Sequence, residues 1–306
     1  MAGEDRALIR KRFDPLSGFS KAHPTSSLKF GIGRDDAHQT EPHSIIRAEK
    51  VFGFPVPNYK NKWQHYRHLK TNDLLQITPC VYDVNELDAN DFENGGYFLK
   101  WSPSSCGTHV TYCHTLESAH EAFRVQYAEN PALKYVFCEG VSNPRCLSGK
   151  KTDLRIYAYI APDGCTYTHS ECGVRISELT LDVADLDSHK TNTSSGSQML
   201  SSADWPWTDV SWDDVRTRQV VPLVREYIRQ SAQYYSASMP QILTLDVMLT
   251  EGNTPQAFFI ECNTGGIIFS QDCSQGTKKR VIQDILSIAF TSDVGGFIPL
   301  GLVLSV

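Results

Sequence analysis

Apolar positions recur with two distinct periods along this chain, and the places where the period changes mark out its elements. GGYFLKWS (95–102) sets a short apolar run after two glycines and ends it on a lysine before SPSSCGTHV, which predicts a strand leading into a Gly/Ser loop. In LESAHEAFRVQYAE, Leu116, Ala119, Phe123 and Tyr127 return at helical spacing, with Thr115 placed to cap the first turn and Glu117 within it. KYVFCEG (134–140) predicts another strand. DLRIYAYIA (153–161) alternates more strictly: Leu154, Ile156, Ala158 and Ile160 share one face, and Arg155, Tyr157 and Tyr159 the other. The PDG that follows suits a hairpin turn.

Further along, 185–204 (DLDSHKTNTSSGSQMLSSAD) is polar and nearly free of aliphatic residues, which predicts a mobile loop. Helical period resumes in WDDVRTRQVVPLVREYIRQSAQYY through Val221, Val224 and Ile228, with a kink or a late start at Pro222. QILTLDVMLT and QAFFIECN, joined by EGNTP, form a strand hairpin, and KKRVIQDILSIAF (278–290) a closing helix. The first part of the chain is less regular. Residues 1–45 show no sustained period and predict an arm or loops; their GIGRDD (31–36) lacks the third glycine of a dinucleotide fingerprint and no strand is predicted before it. Residues 46–93, with IIRAEKVFGF, WQHYRHLKTNDLL and the strand-like ITPCVYDV, suggest a small N-terminal lobe, ahead of a central unit at 94–145 and a C-terminal unit at 146–306. Strands alternating with helices and then a strand hairpin predict an α/β or α+β fold with an antiparallel component.

The 306 residues, 41% of them hydrophobic and 21% charged, are enough for a sizeable core. Lysine and arginine total 29 against 35 acidic residues, a net charge of −6, which leaves no overall footprint for nucleic acid or an anionic membrane. MAGEDRALIRKRF lacks the apolar stretch of a signal peptide, and IPLGLVLSV is too short to span a bilayer, so a cytoplasmic protein is expected. Nine cysteines without a C-x-x-C pair suit reduced thiols better than disulfides or zinc, and His65 and His68 fit a helix surface better than a metal site.

Candidate chemistry concentrates in the hairpin. Asp246 stands in the middle of LTLDVML, where a lone ionised carboxylate would cost several kcal/mol if buried. Glu261 and Asn263, two apart on the next strand, share a face. Together these three form a hard-oxygen set suited to magnesium, unless Asp246 and Glu261 are edge-strand residues facing solvent. Lys100 ends its strand beside a Gly/Ser loop whose amides could meet phosphate oxygens. In SGKKTDLR, Lys151, Asp153 and Arg155 alternate onto one face, either a solvated stripe or a cationic wall in which Asp153 orients the arginine by a bidentate contact.

In order, FLKWSPSSCGTHV, VSNPRCLSGKKTDLRIYAYI, ECGVRI, HKTNTSSGSQ, and LTLDVML with FFIECNTGG resemble the catalytic core of the tubulin-tyrosine-ligase-like family over residues 75–290. The resemblance implies an ATP-grasp fold with a small N-terminal lobe and a nucleotide cleft between two β-sheet subdomains. It puts Lys100, Lys151 and Asp153 near the ATP phosphates and FCEGV (137–141), with Cys138, Glu139 and Val141, at the adenine hinge. It puts magnesium on Asp246, Glu261 and Asn263, Arg155 and Arg175 at the transferred phosphate and acidic substrate, and Thr191 and Asn192 in a substrate loop opened by His189. Glu139 replaces a hinge lysine, Thr152 an aromatic residue, His109 a second glycine of the loop, and N-T-G-G (263–266) the family's N-T-S-P. The implied reaction is ATP- and Mg-dependent amide formation, joining an amino acid to a carboxylate acceptor. The acceptor is a protein or peptide tail, or a small acid; a non-catalytic ATP-binding scaffold is the alternative of another class.

Overall fold

The strictest alternation in the sequence becomes the longest strand of the molecule, and the larger sheet is assembled around it. The computed structural model describes residues 28–30, 50–52, 62–93, 95–102, 110–161, 163–182, 184–191, 197–235, 241–263, 276–291 and 293–304. Its first half contains β1 (Leu28–Phe30), β2 (Lys50–Phe52), α1 (Lys62–His68), β3 (Cys80–Val81), β4 (Tyr97–Ser102), β5 (Val110–Cys113), α2 (Leu116–Glu129), β6 (Lys134–Glu139) and β7 (Cys146–Leu147). The second half contains β8 (Lys150–Ile160), β9 (Cys165–His169), β10 (Gly173–Ile176), β11 (Gln198–Ser201), α3 (Trp212–Val215), α4 (Val221–Gln230), β12 (Gln241–Leu249), β13 (Ala257–Asn263), α5 (Gly276–Thr291) and β14 (Phe297–Val303). The fold is mixed α/β, compatible with α+β: two antiparallel sheets, few helices, and a short parallel β1–β2 pair. Among the described residues no helix is long and apolar enough to cross a membrane.

The smaller sheet runs β3-β6-β4-β5. α2 covers one face of it, and Tyr97, Leu99, Trp101, Cys113, Ala119 and Phe137 form the core between them. Thr115 caps α2 as its position predicts: its side chain accepts from the Ser118 amide at 3.1 Å while Ser118 Oγ accepts from the Thr115 amide at 3.0 Å. Gly96 is needed where it stands, because a Cβ there would lie 2.4 Å from the Cys113 carbonyl oxygen. The opposite face of this sheet, with Phe98, Lys100 and Cys138, is turned towards the larger one.

The larger sheet follows the path β11-β10-β8-β12-β13, with β9 and β7 also on β8 and β14 on β9. Leu154, Ile156, Ala158 and Ile160 of β8 join Leu243, Leu245, Val247 and Leu249 of β12 in one core, closed below by Leu223, Val224, Tyr227 and Ile228 of α4. Each Leu, Ile or Val among them contributes on the order of 1.5–3 kcal/mol on burial. The helix ahead of α4 does not simply kink. Arg216–Val220 forms a π segment immediately before Val221, and Pro222, which has no N–H to continue the ladder, opens α4.

Several expectations are corrected by the structure. Residues 198–201 form β11, paired with β10, and Leu186–His189 a 3-10 turn, so 185–204 is not a loop throughout; the strand is the QMLS stretch, which holds Met199 and Leu200. A strand, β1, does precede GIGRDD, which itself lies outside the described residues. ITPCVYDV supplies only β3, because Pro79 cannot donate to a ladder and the Asp83 carboxylate, accepting from the Asn85 amide at 3.0 Å, starts a 3-10 turn. His65 is buried rather than on a helix surface, packed against Tyr227, Tyr234 and Phe259, with Nε2 3.2 Å from the Tyr227 hydroxyl. Burial, reinforced by His68, lowers its pKa to about 3. His68 is exposed.

Candidate functional site

The two sheets face each other across a cleft, and register decides which charges meet in it. On β8, Asp153 lies opposite Arg175 of β10, and Arg155 lies opposite Asp246 of β12, which in turn lies opposite Glu261 of β13. The side chains pair accordingly. Arg155 donates from Nε and Nη2 to the two oxygens of Asp246, both at 3.0 Å. Arg175 donates from Nε and Nη2 to Asp153, both at 2.5 Å, and its Nη2 is also 3.0 Å from Asp246 Oδ2. The Thr191 hydroxyl donates to Asp153 as well. Asp153 therefore orients Arg175 and not Arg155, a correction with a simple cause: directly opposed residues on neighbouring strands are closer than residues two apart on one strand.

None of these charged residues is solvated, nor is Lys151 beside them on β8. Lys151, Asp153, Arg155, Arg175 and Asp246 are each less than a tenth exposed. The solvated-stripe reading fails, and the edge-strand reading fails for Asp246, because β8 and β12 are inner strands and the smaller sheet lies over their polar face; Glu261 is on β13, at the end of the strand order, and is half-buried. Burial raises the Asp246 carboxyl above the ordinary aspartate value against the pull of Arg155 and Arg175. Burial also opposes the Arg175 charge, but Asp153 and Asp246 outweigh it and hold the guanidinium protonated.

The lysines are placed differently. Lys100 arrives from β4 of the smaller sheet and Lys151 from β8 of the larger, and both line the cleft. Lys100 Nζ donates to the Tyr66 hydroxyl at 3.4 Å and sits 5.4 Å from the Tyr66 ring centre; Tyr66 in turn donates to the Ile260 carbonyl. Lys151 Nζ lies 5.2 Å from the Phe98 ring centre. Neither lysine forms an ion pair among the described residues. Burial pushes Lys151 down to about 8, Asp153 opposing and the nearby Lys100 reinforcing the shift. Burial works against Lys100 too, yet the Cys138, Glu261 and Cys80 groups hold it above the ordinary lysine range.

Of the residues singled out in the sequence, Lys100, Glu139, Val141, Lys151, Asp153, Arg175, Thr191, Asp246 and Glu261 line this one cleft. Arg155 lies behind Asp246 and does not line it. Cys138 is not among the lining residues, and its sulfur accepts from Cys80 of β3 at 3.4 Å. Asn263 occupies β13 opposite Thr244, and Asn192 lies outside the described residues. At the far end the Glu139 and Gly140 amides are committed to Pro79 and Gly96 at 2.9 and 2.7 Å, and burial, with Asp91, raises the Glu139 carboxyl.

His189, which the sequence places at the opening of the substrate loop, lines the cleft too, its ring centre 4.4 Å from that of Tyr112, and the cleft also contains residues that the sequence did not single out as a group: Tyr66, Ile77, Phe98, Met248 and Phe259 give it an apolar floor. Phe98, two before Lys100 on the same strand face, was within reach of the alternation argument. Tyr66 was not, since nothing in WQHYRHL marks which helix face meets β13.

Among the described residues no group of three or more His, Cys, Asp or Glu side chains converges as a metal site. Asp246 and Glu261, opposed on adjoining strands, are the hard-oxygen pair that remains. Magnesium commonly takes one or two carboxylates and completes its shell with phosphate oxygens and water, so this donor set fits it chemically, with Asp246 shared with two guanidinium groups. Searches against models of known protein families and against curated proteins return no match for this chain.

Proposed function

We propose that this chain is an ATP- and magnesium-dependent carboxylate–amine ligase with an ATP-grasp architecture, similar to the tubulin-tyrosine-ligase-like family. The observation that carries the proposal is the convergence, with the Asp246–Glu261 pair, of two lysines from opposite sheets that form no ion pair among the described residues, in one cleft that has an apolar end. Two ammonium groups close enough for one to lower the pKa of the other call for an anion between them. A nucleotide triphosphate supplies that anion and a base for the apolar end by Phe98, Met248 and Val141.

Within this reading a substrate carboxylate attacks the γ-phosphorus, the bond to the β-phosphate oxygen breaks, and ADP leaves behind an acyl phosphate. An amine then attacks the acyl carbon, loses a proton, and displaces inorganic phosphate to leave an amide. Magnesium held by Asp246 and Glu261, with Asn263 beside them in sequence, would neutralise phosphate charge. Lys100 and Lys151 bind the phosphates, Arg175 presents one edge to the cleft, and Arg155 holds Asp246 in position. This is catalysis by positioning and charge stabilisation, so no nucleophilic side chain is required. The amine is an amino acid and the acceptor a peptide or small acid.

A second reading, a nucleotide-binding scaffold without turnover, has one specific observation in its favour: both arginines are already bound bidentately by aspartates. Incubation with Mg-ATP, pooled amino acids and a panel of carboxylate acceptors separates the two. ADP release together with a new condensed mass, both lost in Glu261→Gln, is the expected result. ATP binding without ADP release in every pool would establish the scaffold instead.

A further inference from the structure

Beneath the cleft lies a pair of thiols that the ligase chemistry leaves unused. Cys80 and Cys138 are register partners of β3 and β6. The neighbouring pair, Pro79 and Glu139, carries the ladder bond, from the Glu139 amide to the Pro79 carbonyl at 2.9 Å. Cys80 and Cys138 therefore occupy the non-hydrogen-bonded position, where side chains come closest and Cα atoms are typically about 4.5 Å apart, inside the range a disulfide spans. Their sulfurs are 3.4 Å apart, the Cys80 thiol donating to Cys138, and neither cysteine is in a disulfide. Cys138 is opposite Phe98 in β4, and Val136 is opposite Lys100, so the thiols share a sheet face with two cleft-lining side chains. Cys80 is half-buried, whereas Cys138 is 2% exposed.

We propose that Cys80 and Cys138 form a redox modification site, which a hydroperoxide converts to a cross-strand disulfide that weakens nucleotide binding in the adjoining cleft. The sulfur attacked first becomes a sulfenic acid as the peroxide O–O bond breaks and water leaves. The partner thiol then displaces the sulfenic oxygen as a second water. In sum, two thiols and one hydrogen peroxide give a disulfide and two waters; the sulfur pair loses two electrons and the peroxide gains them. The hydrogen bond to Cys138, and then burial, raise the Cys80 pKa, so Cys80 keeps its proton; Cys138 lies beside the Lys100 ammonium. Bond formation must shorten the sulfur separation from 3.4 Å to about 2.05 Å. That draws Ile77 and Thr78, just before β3, and Glu139 to Val141, just after Cys138, towards each other across the end of the cleft.

The effect on nucleotide rests on the function proposed above, while formation of the disulfide does not, and one experiment keeps the two apart. The full chain is treated with hydrogen peroxide or with dithiothreitol, free thiols are alkylated, and a non-reducing digest is examined by mass spectrometry alongside Mg-ATP titration calorimetry. A Cys80–Cys138 cross-linked peptide is expected, with ATP affinity lowered about tenfold, restored by reductant, and unchanged by peroxide in Cys80→Ser and Cys80→Ala. Melting curves of both variants establish that each is folded. Absence of the cross-linked peptide overturns the modification site. A cross-link without change in ATP affinity overturns its link to the cleft, and a cross-link in a chain that binds no ATP when reduced overturns the nucleotide reading while the site stands.

Discussion

The arginines and the lysines of the cleft are buried side by side but are held in opposite ways. Arg155 and Arg175 are locked by bidentate contacts to Asp246 and Asp153, with Thr191 completing the set. Lys100 and Lys151 meet a hydroxyl and aromatic faces, with no carboxylate partner among the described residues. A planar guanidinium opposite a carboxylate saturates its own charge and fixes geometry, whereas an ammonium over a ring remains able to take a phosphate oxygen. In the function proposed above, the arginine row is therefore scaffolding for the site, and the lysine pair is its anion-binding part.

That contrast breaks most readily at Arg175. Arg175→Met strands Asp153 in a buried setting and is expected to cost about 3–5 kcal/mol in urea unfolding, because removing one partner leaves an uncompensated charge. Arg175→Met with Asp153→Leu should recover most of that loss. A single variant as stable as the native chain would show that the row carries no such role.

Lys151→Met should do the reverse. The fold should hold or gain stability, since a buried ammonium disappears, while ATP affinity should fall by about 1.5–3 kcal/mol in calorimetry, the range for hydrogen bonds to charged groups. Unchanged affinity would remove Lys151 from the anion site.

A pH titration sharpens the same distinction. Lys151 is lowered to about 8 in the folded chain against about 10.4 unfolded. Between those values the unfolded chain binds more protons, so the Lys151 contribution makes stability rise with pH from about 8 to about 10.4. ATP affinity should fall over the same interval as the ammonium is lost. Opposite slopes that both vanish in Lys151→Met are the expected result, and parallel slopes would contradict it. The smallest effect belongs to the exposed Arg124–Glu121 pair, whose side chains are 72% and 59% exposed. Arg124→Ala should leave the urea midpoint unmoved.

Much of this arrangement was legible in the sequence, for reasons that also explain what was not. Period-two alternation assigns each residue of β8 and β12 to a face, and the EGNTP connection makes neighbours of the strands bearing Asp246 and Glu261. Alternation cannot assign partners across strands that are distant in sequence. The pairing of Asp153 with Arg175 needs the β8–β10 register, and the approach of Lys100 to Lys151 needs two sheets to be laid face to face. Nor could it show burial on both faces: a charged stripe reads as solvated until the smaller sheet is placed above it. Cys80 and Cys138, 58 residues apart, carry no spacing signal and meet only through the β3–β6 ladder.

Main-chain bonds join the β12–β13 hairpin to the segments just before β3 and just after β6. Phe259 of β13 donates its amide to Gln76 at 2.8 Å and forms a parallel bridge with Ile77, while Glu251 and Arg145 bond Asn143 and Leu249 at 2.9 and 2.7 Å around the hairpin end. These bonds act mechanically as a spine. Any movement that widens the cleft without breaking them is a rotation about that line, so its amplitude is least beside Ile77 and Phe259 and grows towards Thr191 and His189. A bound molecule would then be gripped by the angle between two boards joined along one edge, and the energy of opening would be set by bending a few peptide bonds rather than by separating two cores.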